Sequence, residues 1–259
     1  MNLIKAILLT LPLFFTDNLS AQILIHSHND YTHSHPFWGA YHEKADFIEA
    51  DVFPVNGNLM VAHSKDKIRP DSTLSTMYLQ PIIHLFQQHQ NKTASDNPGY
   101  TFYLMIDIKE KWNEVLPILI SEIKQYPQCF NRQVNPHAVQ IFISGDRPPD
   151  TTFHSYPDMI QFDGLPGVKY HPADLKKVVE ISTDFNLYSR WNGKGEIQAK
   201  DAETLRKVII AAHQEGKKIR FWGAPDTPDC WKTLIRLGAN IINTDKVKAC
   251  REFLQSRHF

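Results

Sequence analysis

The sequence predicts an α/β fold, a single (β/α)8 TIM-type barrel, and three observations carry that prediction. Short apolar runs alternate with segments of helical period, eight such runs can be counted, and polar residues gather where several of them end. Strand–helix alternation implies a parallel sheet. In a closed parallel barrel every strand ends at one face, so residues distant in sequence meet at one mouth. A chain of 259 residues, 42% of them apolar, has the material for one such core.

The N-terminus is set apart from this pattern. Lys5 precedes an apolar stretch, Ala6 to Phe15, broken by Thr10 and Pro12, and Leu19-Ser20-Ala21 ends in small residues before Gln22. This is the pattern of a cleaved leader. The expected organisation is therefore a signal peptide over 1–21 and a barrel domain over 22–259, with the mature protein exported, periplasmic or secreted. A bilayer span needs about 20 apolar residues, so no transmembrane segment is expected in the mature chain.

Strands are predicted over 22–26, 47–53, 101–109, 138–144, 159–163, 185–191, 218–223 and 240–244. Helices are clearest over 112–125, 200–215, 229–237 and 246–255, where apolar positions recur every three or four residues. Asn56-Gly57 signals a tight turn, after which Leu59–His63 should pair back onto the second strand and carry His63 over the barrel mouth. The stretch 93–99 is a polar loop, and prolines break every periodic reading between Gly145 and Pro157.

Charge excludes one class of partner. The 28 basic residues balance 28 acidic ones and no basic block is interleaved with aromatics, so no nucleic acid is expected. Three cysteines, Cys129, Cys230 and Cys250, are too few for a disulfide scaffold and leave at least one unpaired. Whether Cys230 and Cys250 pair stays open.

Glu49 and Asp51 lie two apart on a strand whose neighbours, Phe47, Ile48, Val52 and Phe53, are apolar. Both carboxylates thus share one face of a buried strand, and a divalent cation relieves the cost of burying them together. Asp107 interrupts another apolar strand, with Lys109 on the same face. Asp107 is expected as a third metal ligand and Lys109 as a phosphate-binding cation. Hard oxygen ligands without cysteine suit Ca²⁺ or Mg²⁺. His28 and His63 stand beside these acids as candidate acid–base groups. At the far strand ends, Asp163, Tyr188, Arg190, Trp191, Asn192 and Trp222 form a polar and aromatic rim, from which Asp163, Arg190 and Trp222 are expected to contact substrate, as is Lys109.

These residues resemble the glycerophosphodiester phosphodiesterase and phosphatidylinositol-specific phospholipase C superfamily. Ser27-His28-Asn29-Asp30-Tyr31 is similar to the SHNTY sequence of calcium-dependent phospholipases C, which implies a catalytic His28 and Asn29 as a metal ligand. Glu49-Ala50-Asp51 takes the place of the superfamily's E-x-D ligands, and His63 that of its second histidine. Met105 to Lys109, Lys218 to Trp222 and Gly238 to Asp245 resemble further signatures, so the likeness spans nearly the whole mature chain. The subgroup most similar includes the altered inheritance of mitochondria protein 6 family, which shares the HSHNDY start. The resemblance implies a metal-dependent phosphoric diester hydrolase acting on a small-molecule or lipid-derived phosphodiester, of the glycerophosphodiester or phospholipid head-group class. The HRG and E-N-T signatures are missing, so glycerophosphodiester specificity does not carry over.

Two rival readings fit the same residues. His26-Ser27-His28 after a first strand is also how zinc amidohydrolases begin, and Asp245 supplies their last ligand, but the segments ending at Asp163 and Trp191 offer no histidine. The other rival is a non-catalytic barrel that binds phosphate or lipid head groups.

Overall fold

The computed structural model describes residues 22–97 and 99–256, and the expected leader over 1–21 lies outside them. Eight parallel strands close into a barrel: β1 (Leu24–Ser27), β2 (Phe47–Val55), β4 (Tyr103–Ile108), β5 (Gln140–Gly145), β6 (Ile160–Gly164), β7 (Val178–Asp184), β8 (Lys218–Trp222) and β9 (Ile241–Thr244). Closure comes from β1, which pairs in parallel with β2 on one side and β9 on the other. A ninth strand, β3 (Asn58–Val61), runs antiparallel to β2.

Helices follow the strands as α1 (Trp38–His42), α2 (Gln80–Gln88), α3 (Trp112–Ile123), α4 (Pro127–Phe130), α5 (Pro172–Leu175), α6 (Ala199–Gln214), α7 (Pro228–Leu237) and α8 (Val247–Gln255). The ends of α7 are written in sequence. Thr227 caps it by accepting from the Cys230 amide, Pro228 needs no amide donor there, and Gly238 closes it at φ 107°.

The two-residue period of the strands separates two environments. Outward residues such as Ile48, Ala50, Leu104, Ile106, Ile141, Ile143, Ile219 and Phe221 belong to the large core between sheet and helices. Inward, Phe47, Met105, Phe142 and Ile241 form a small apolar plug. Above that plug the barrel interior becomes polar, with His26, Glu49, Asp51, Asp163, Glu180, Ser182 and Arg220 all buried.

One expectation is corrected. The sixth barrel strand is Val178–Asp184 rather than 185–191, and the Phe185–Leu187 that was expected to begin it is a single 3-10 turn. Asp184 starts that turn by accepting from the Asn186 amide, which ends the strand before Tyr188, Arg190 and Trp191. Residues 150–155, in the stretch where prolines break the periodicity, also form a 3-10 helix.

The hairpin expectation holds. Asn56 and Gly57 adopt φ 49° and 78°, the paired left-handed geometry of a tight hairpin turn. Val61 then stands opposite Val52, and the Ala62 amide extends the pairing by donating to Asp51 O at 3.2 Å. His63 is the next residue, at the barrel mouth. The three cysteines are buried free thiols, so Cys230 and Cys250 are not bonded to each other.

Candidate active site

A cleft of about 550 Å³ opens at the C-terminal ends of the strands, and its lining includes His28, Asn29, Glu49, His63, Asp107, Lys109, Asp163 and Trp222. Parallel register explains this convergence. Asp51 pairs with Asp107 and Glu49 with Met105 across β2 and β4, so the acids of adjacent strands share one level and one face. Carboxylate oxygens of Glu49, Asp51 and Asp107 lie within 4.8 Å of one another.

Lys109 does not stand free for substrate in this arrangement. Its Nζ lies 2.6 Å from Asp51 Oδ2 and 2.6 Å from Asp107 Oδ2. Asp51 still has an excess of negative neighbours: burial, Glu49 and Asp107 push its carboxyl up to about 7 against the pull of Lys109. Burial also raises Asp107, again opposed by Lys109.

The donor set fits a hard divalent cation. All three groups are carboxylates, Asp51 Oδ1 is buried without a hydrogen-bond partner, and a positive group already sits between two of them. Asn29 neighbours the trio with its carboxamide engaged, its Oδ1 accepting from the Tyr31 hydroxyl at 2.9 Å. Asn29 holds a left-handed conformation, φ 47°, that asparagine tolerates better than most residues.

The two histidines flank the acids from different strands. His28, just beyond β1, places Nδ1 2.8 Å from Asp245 Oδ1, just beyond β9. Burial lowers the His28 pKa, but the Asp245 hydrogen bond, the charge of Glu49 and the charge of Asp245 outweigh it and the net direction is up. His63 Nδ1 lies 3.1 Å from the Tyr31 hydroxyl and 3.6 Å from Asp51 Oδ2, on a side chain 66% exposed. Tyr31 also contacts Asp51 Oδ2 at 2.6 Å, so it ties the second histidine to the acidic trio.

The floor of the cleft holds a cation that sequence reasoning did not single out. Arg220 is buried, with Nη1 3.2 Å from Glu49 Oε2 and 2.9 Å from His26 Nε2, and Nη2 3.6 Å from Asp163 Oδ2. Its Nε lies 3.0 Å from Glu180 Oε1, a charge contact whose angles miss hydrogen-bond geometry. His26 completes the support with Nε2 2.8 Å from Glu49 Oε2. Burial and Arg220 push His26 down to about 3, leaving a neutral ring. Burial disfavours ionised Glu49, yet His26 and Arg220 hold its pKa down to about 2.

The expected rim is divided. Asp163 sits in the cleft floor, 1% exposed, accepting from Ser144 Oγ at 2.9 Å and from Ser182 Oγ. Trp222 lines the cleft and is 42% exposed. Arg190 is exposed and is not among the cleft-lining residues, because the strand that would have aimed it inward ends at Asp184. Arg147, beyond β5, lines the cleft instead.

A histidine-rich metal site is not formed among the described residues: His26 is taken by Glu49 and Arg220, and His28 by Asp245.

Residues 15–155 match the AIM6-like phosphodiesterase domain. The chain belongs to the AIM6-like phosphodiesterase family. Residues 218–248 also match the glycerophosphoryl diester phosphodiesterase family. The AIM6-like stretch holds His28, Asn29, Glu49, Asp51, His63, Asp107 and Lys109, and the second holds Arg220, Trp222 and Asp245, whereas Asp163 and Ser182 of the cleft lie between the two. The AIM6-like chain is 24% identical over 266 residues to the altered inheritance of mitochondria protein 6 homolog of Arthroderma benhamiae, covering 89% of this chain and 83% of that protein. It is 24% identical to altered inheritance of mitochondria protein 6 of Eremothecium gossypii, covering 88% and 69%. Its fold is that of a glycerophosphodiester phosphodiesterase from Parabacteroides distasonis, with a TM-score of 0.58 at 13% identity over 92% of this chain and 99% of that one.

Proposed function

We propose that this chain is a divalent-cation-dependent phosphodiesterase that cleaves a small or lipid-derived phosphodiester by acid–base catalysis between His28 and His63. The observation that carries this reading is that His28, just beyond β1, and His63, just beyond the β2–β3 hairpin, line one cleft with Glu49 and Asp107, whose carboxylates cluster with that of Asp51.

When bound by these carboxylates, with Asn29 beside them, Ca²⁺ or Mg²⁺ supplies a Lewis acid for a phosphoryl oxygen and neutralises developing charge. The chain's own residues do the rest. Asp245 accepts from His28 Nδ1–H, which leaves Nε2 as the proton-transfer atom and stabilises the imidazolium. Tyr31 keeps His63 beside Asp51. One histidine removes a proton from the nucleophile and the other protonates the leaving oxygen. The nucleophile is water or a neighbouring hydroxyl of the substrate, the second giving a cyclic phosphate. Arg220 and His26 hold Glu49 in its ionised form, and Trp222 offers an aromatic wall to the group attached to phosphorus.

The test is a screen of purified protein against glycerophosphodiesters, phosphatidylinositol, lysophospholipids and a chromogenic bis-phosphodiester, each with Ca²⁺, Mg²⁺ or chelator. Products followed by ³¹P NMR distinguish hydrolysis from cyclisation. Turnover abolished by chelator supports the reading, and binding without turnover in any metal condition contradicts it.

Export is part of the same proposal, and it rests on the leader pattern of Lys5, the apolar stretch and Ser20-Ala21-Gln22. Mass spectrometry of protein from its own host should find a chain beginning near Gln22. A cytosolic chain beginning at Met1 would overturn it.

A further inference from the structure

We propose that Lys109 is the displaceable counter-ion of the acidic trio: its ammonium holds Asp51 and Asp107 while no divalent cation is bound, is expelled when one binds, and then serves the cleft as its anion-binding group. This inference rests on the cation-dependent reading above.

Space supports the displacement. An ammonium nitrogen 2.6 Å from both Asp51 Oδ2 and Asp107 Oδ2 occupies the volume that a cation shared by those oxygens requires, since carboxylate oxygens approach Mg²⁺ to about 2.0–2.1 Å and Ca²⁺ to about 2.3–2.6 Å. The two charges cannot share that place. Capacity supports it as well: Glu49 is paired with Arg220, but Asp51 and Asp107 share the single charge of Lys109, and Asp51 Oδ1 remains buried with no partner. The ammonium therefore neutralises the trio only in part.

Mobility is confined to the side chain. The Lys109 backbone amide is pinned to Val52 O at 3.0 Å, whereas its side chain is 26% exposed and lines the cleft. A four-carbon stem rooted on a fixed strand end can swing its head from the carboxylates into the open cleft without moving the barrel. Arg220 is ill placed for that task, because its guanidinium is buried against Glu49, Asp163 and Glu180.

Two consequences follow from linkage. Lys109 weakens cation binding by competing for the same oxygens, and cation binding creates an anion site by releasing the ammonium. Metal and substrate anion are thus coupled through one side chain, and the coupling is reciprocal.

The experiment is calorimetric titration of magnesium into the full chain as wild type, Lys109→Met and Lys109→Arg, followed by inorganic phosphate with and without magnesium. Lys109→Met should bind magnesium about tenfold tighter than wild type, within the range usual for coupled sites. Wild type should bind phosphate more tightly with magnesium than without, and Lys109→Met should lose most of that gain. Lys109→Arg, whose planar fork grips two carboxylates more firmly, should bind magnesium more weakly than wild type.

Magnesium affinity in Lys109→Met that equals or falls below that of wild type overturns the proposal while leaving the metal reading intact. No magnesium binding by either chain overturns both. Should Lys109→Met unfold without the cation, magnesium-driven refolding supports displacement, and the comparison of Lys109→Arg with wild type decides: equal or tighter binding by the arginine variant overturns it.

Discussion

His28 Nδ1 and Asp245 Oδ1 stand 2.8 Å apart across the seam where β1 meets β9, joining residues 217 positions apart in the chain. The pairing couples the first and last barrel strands through the site as well as through the sheet. Burial lowers the His28 pKa, and the Asp245 hydrogen bond and charge, together with the charge of Glu49, raise it above its ordinary value.

Asp245→Asn should therefore lower the His28 pKa, because burial remains and one of its two counter-charges, the hydrogen-bonded one, is gone while Glu49 stays. Whichever limb of the pH–rate profile belongs to His28 should move to lower pH. A kcat/KM profile measured from pH 5 to 9 checks this, and an unmoved profile would show that the contact does not tune the histidine.

Cation binding to the trio should be visible in stability. A cation that binds only the native chain raises the melting temperature as its concentration passes the dissociation constant. Wild type should show that rise, and a Glu49→Gln, Asp51→Asn protein should not. An undiminished shift in the double variant would place the cation elsewhere.

Arg220 is the buried cation on which Glu49, Asp163 and Glu180 converge. Breaking a buried ion pair by removing one partner costs about 3–5 kcal/mol. Arg220→Met should lower stability by about that amount in a urea titration, and Arg220→Lys by less. Full stability in Arg220→Met would mean that these acids are neutral in the folded protein.

The sequence was most legible where apolar strands are interrupted by polar side chains at their mouth ends. Glu49, Asp51 and Asp107 stood out because their neighbours are hydrophobic, and the Asn56-Gly57 turn predicted how His63 reaches them. β7 was misplaced for the opposite reason. Its inward residues Glu180 and Ser182 look like exposed positions, and only Arg220, which stands opposite Ser182 on β8, makes their burial tolerable. Phe185, Leu187 and Tyr188 meanwhile imitate a strand while forming a turn. Arg190 belongs to the rim only if 185–191 is a strand, and β7 ends at Asp184. The Lys109 bridge and the Asp245 contact depend on register across the barrel and on closure between β1 and β9, which local patterning does not contain.

The central claim is that His28 and His63 act as one acid–base unit. The measurement that tests it most directly is turnover of a chromogenic bis-phosphodiester at saturating cation by His28→Ala, His63→Ala and the double variant, each with its bound metal quantified. Each single change should lower kcat by at least about a hundredfold, as loss of general acid–base catalysis does. The double change should cost little more, and bound metal should persist in all three. Near wild-type turnover by His63→Ala would contradict the mechanism.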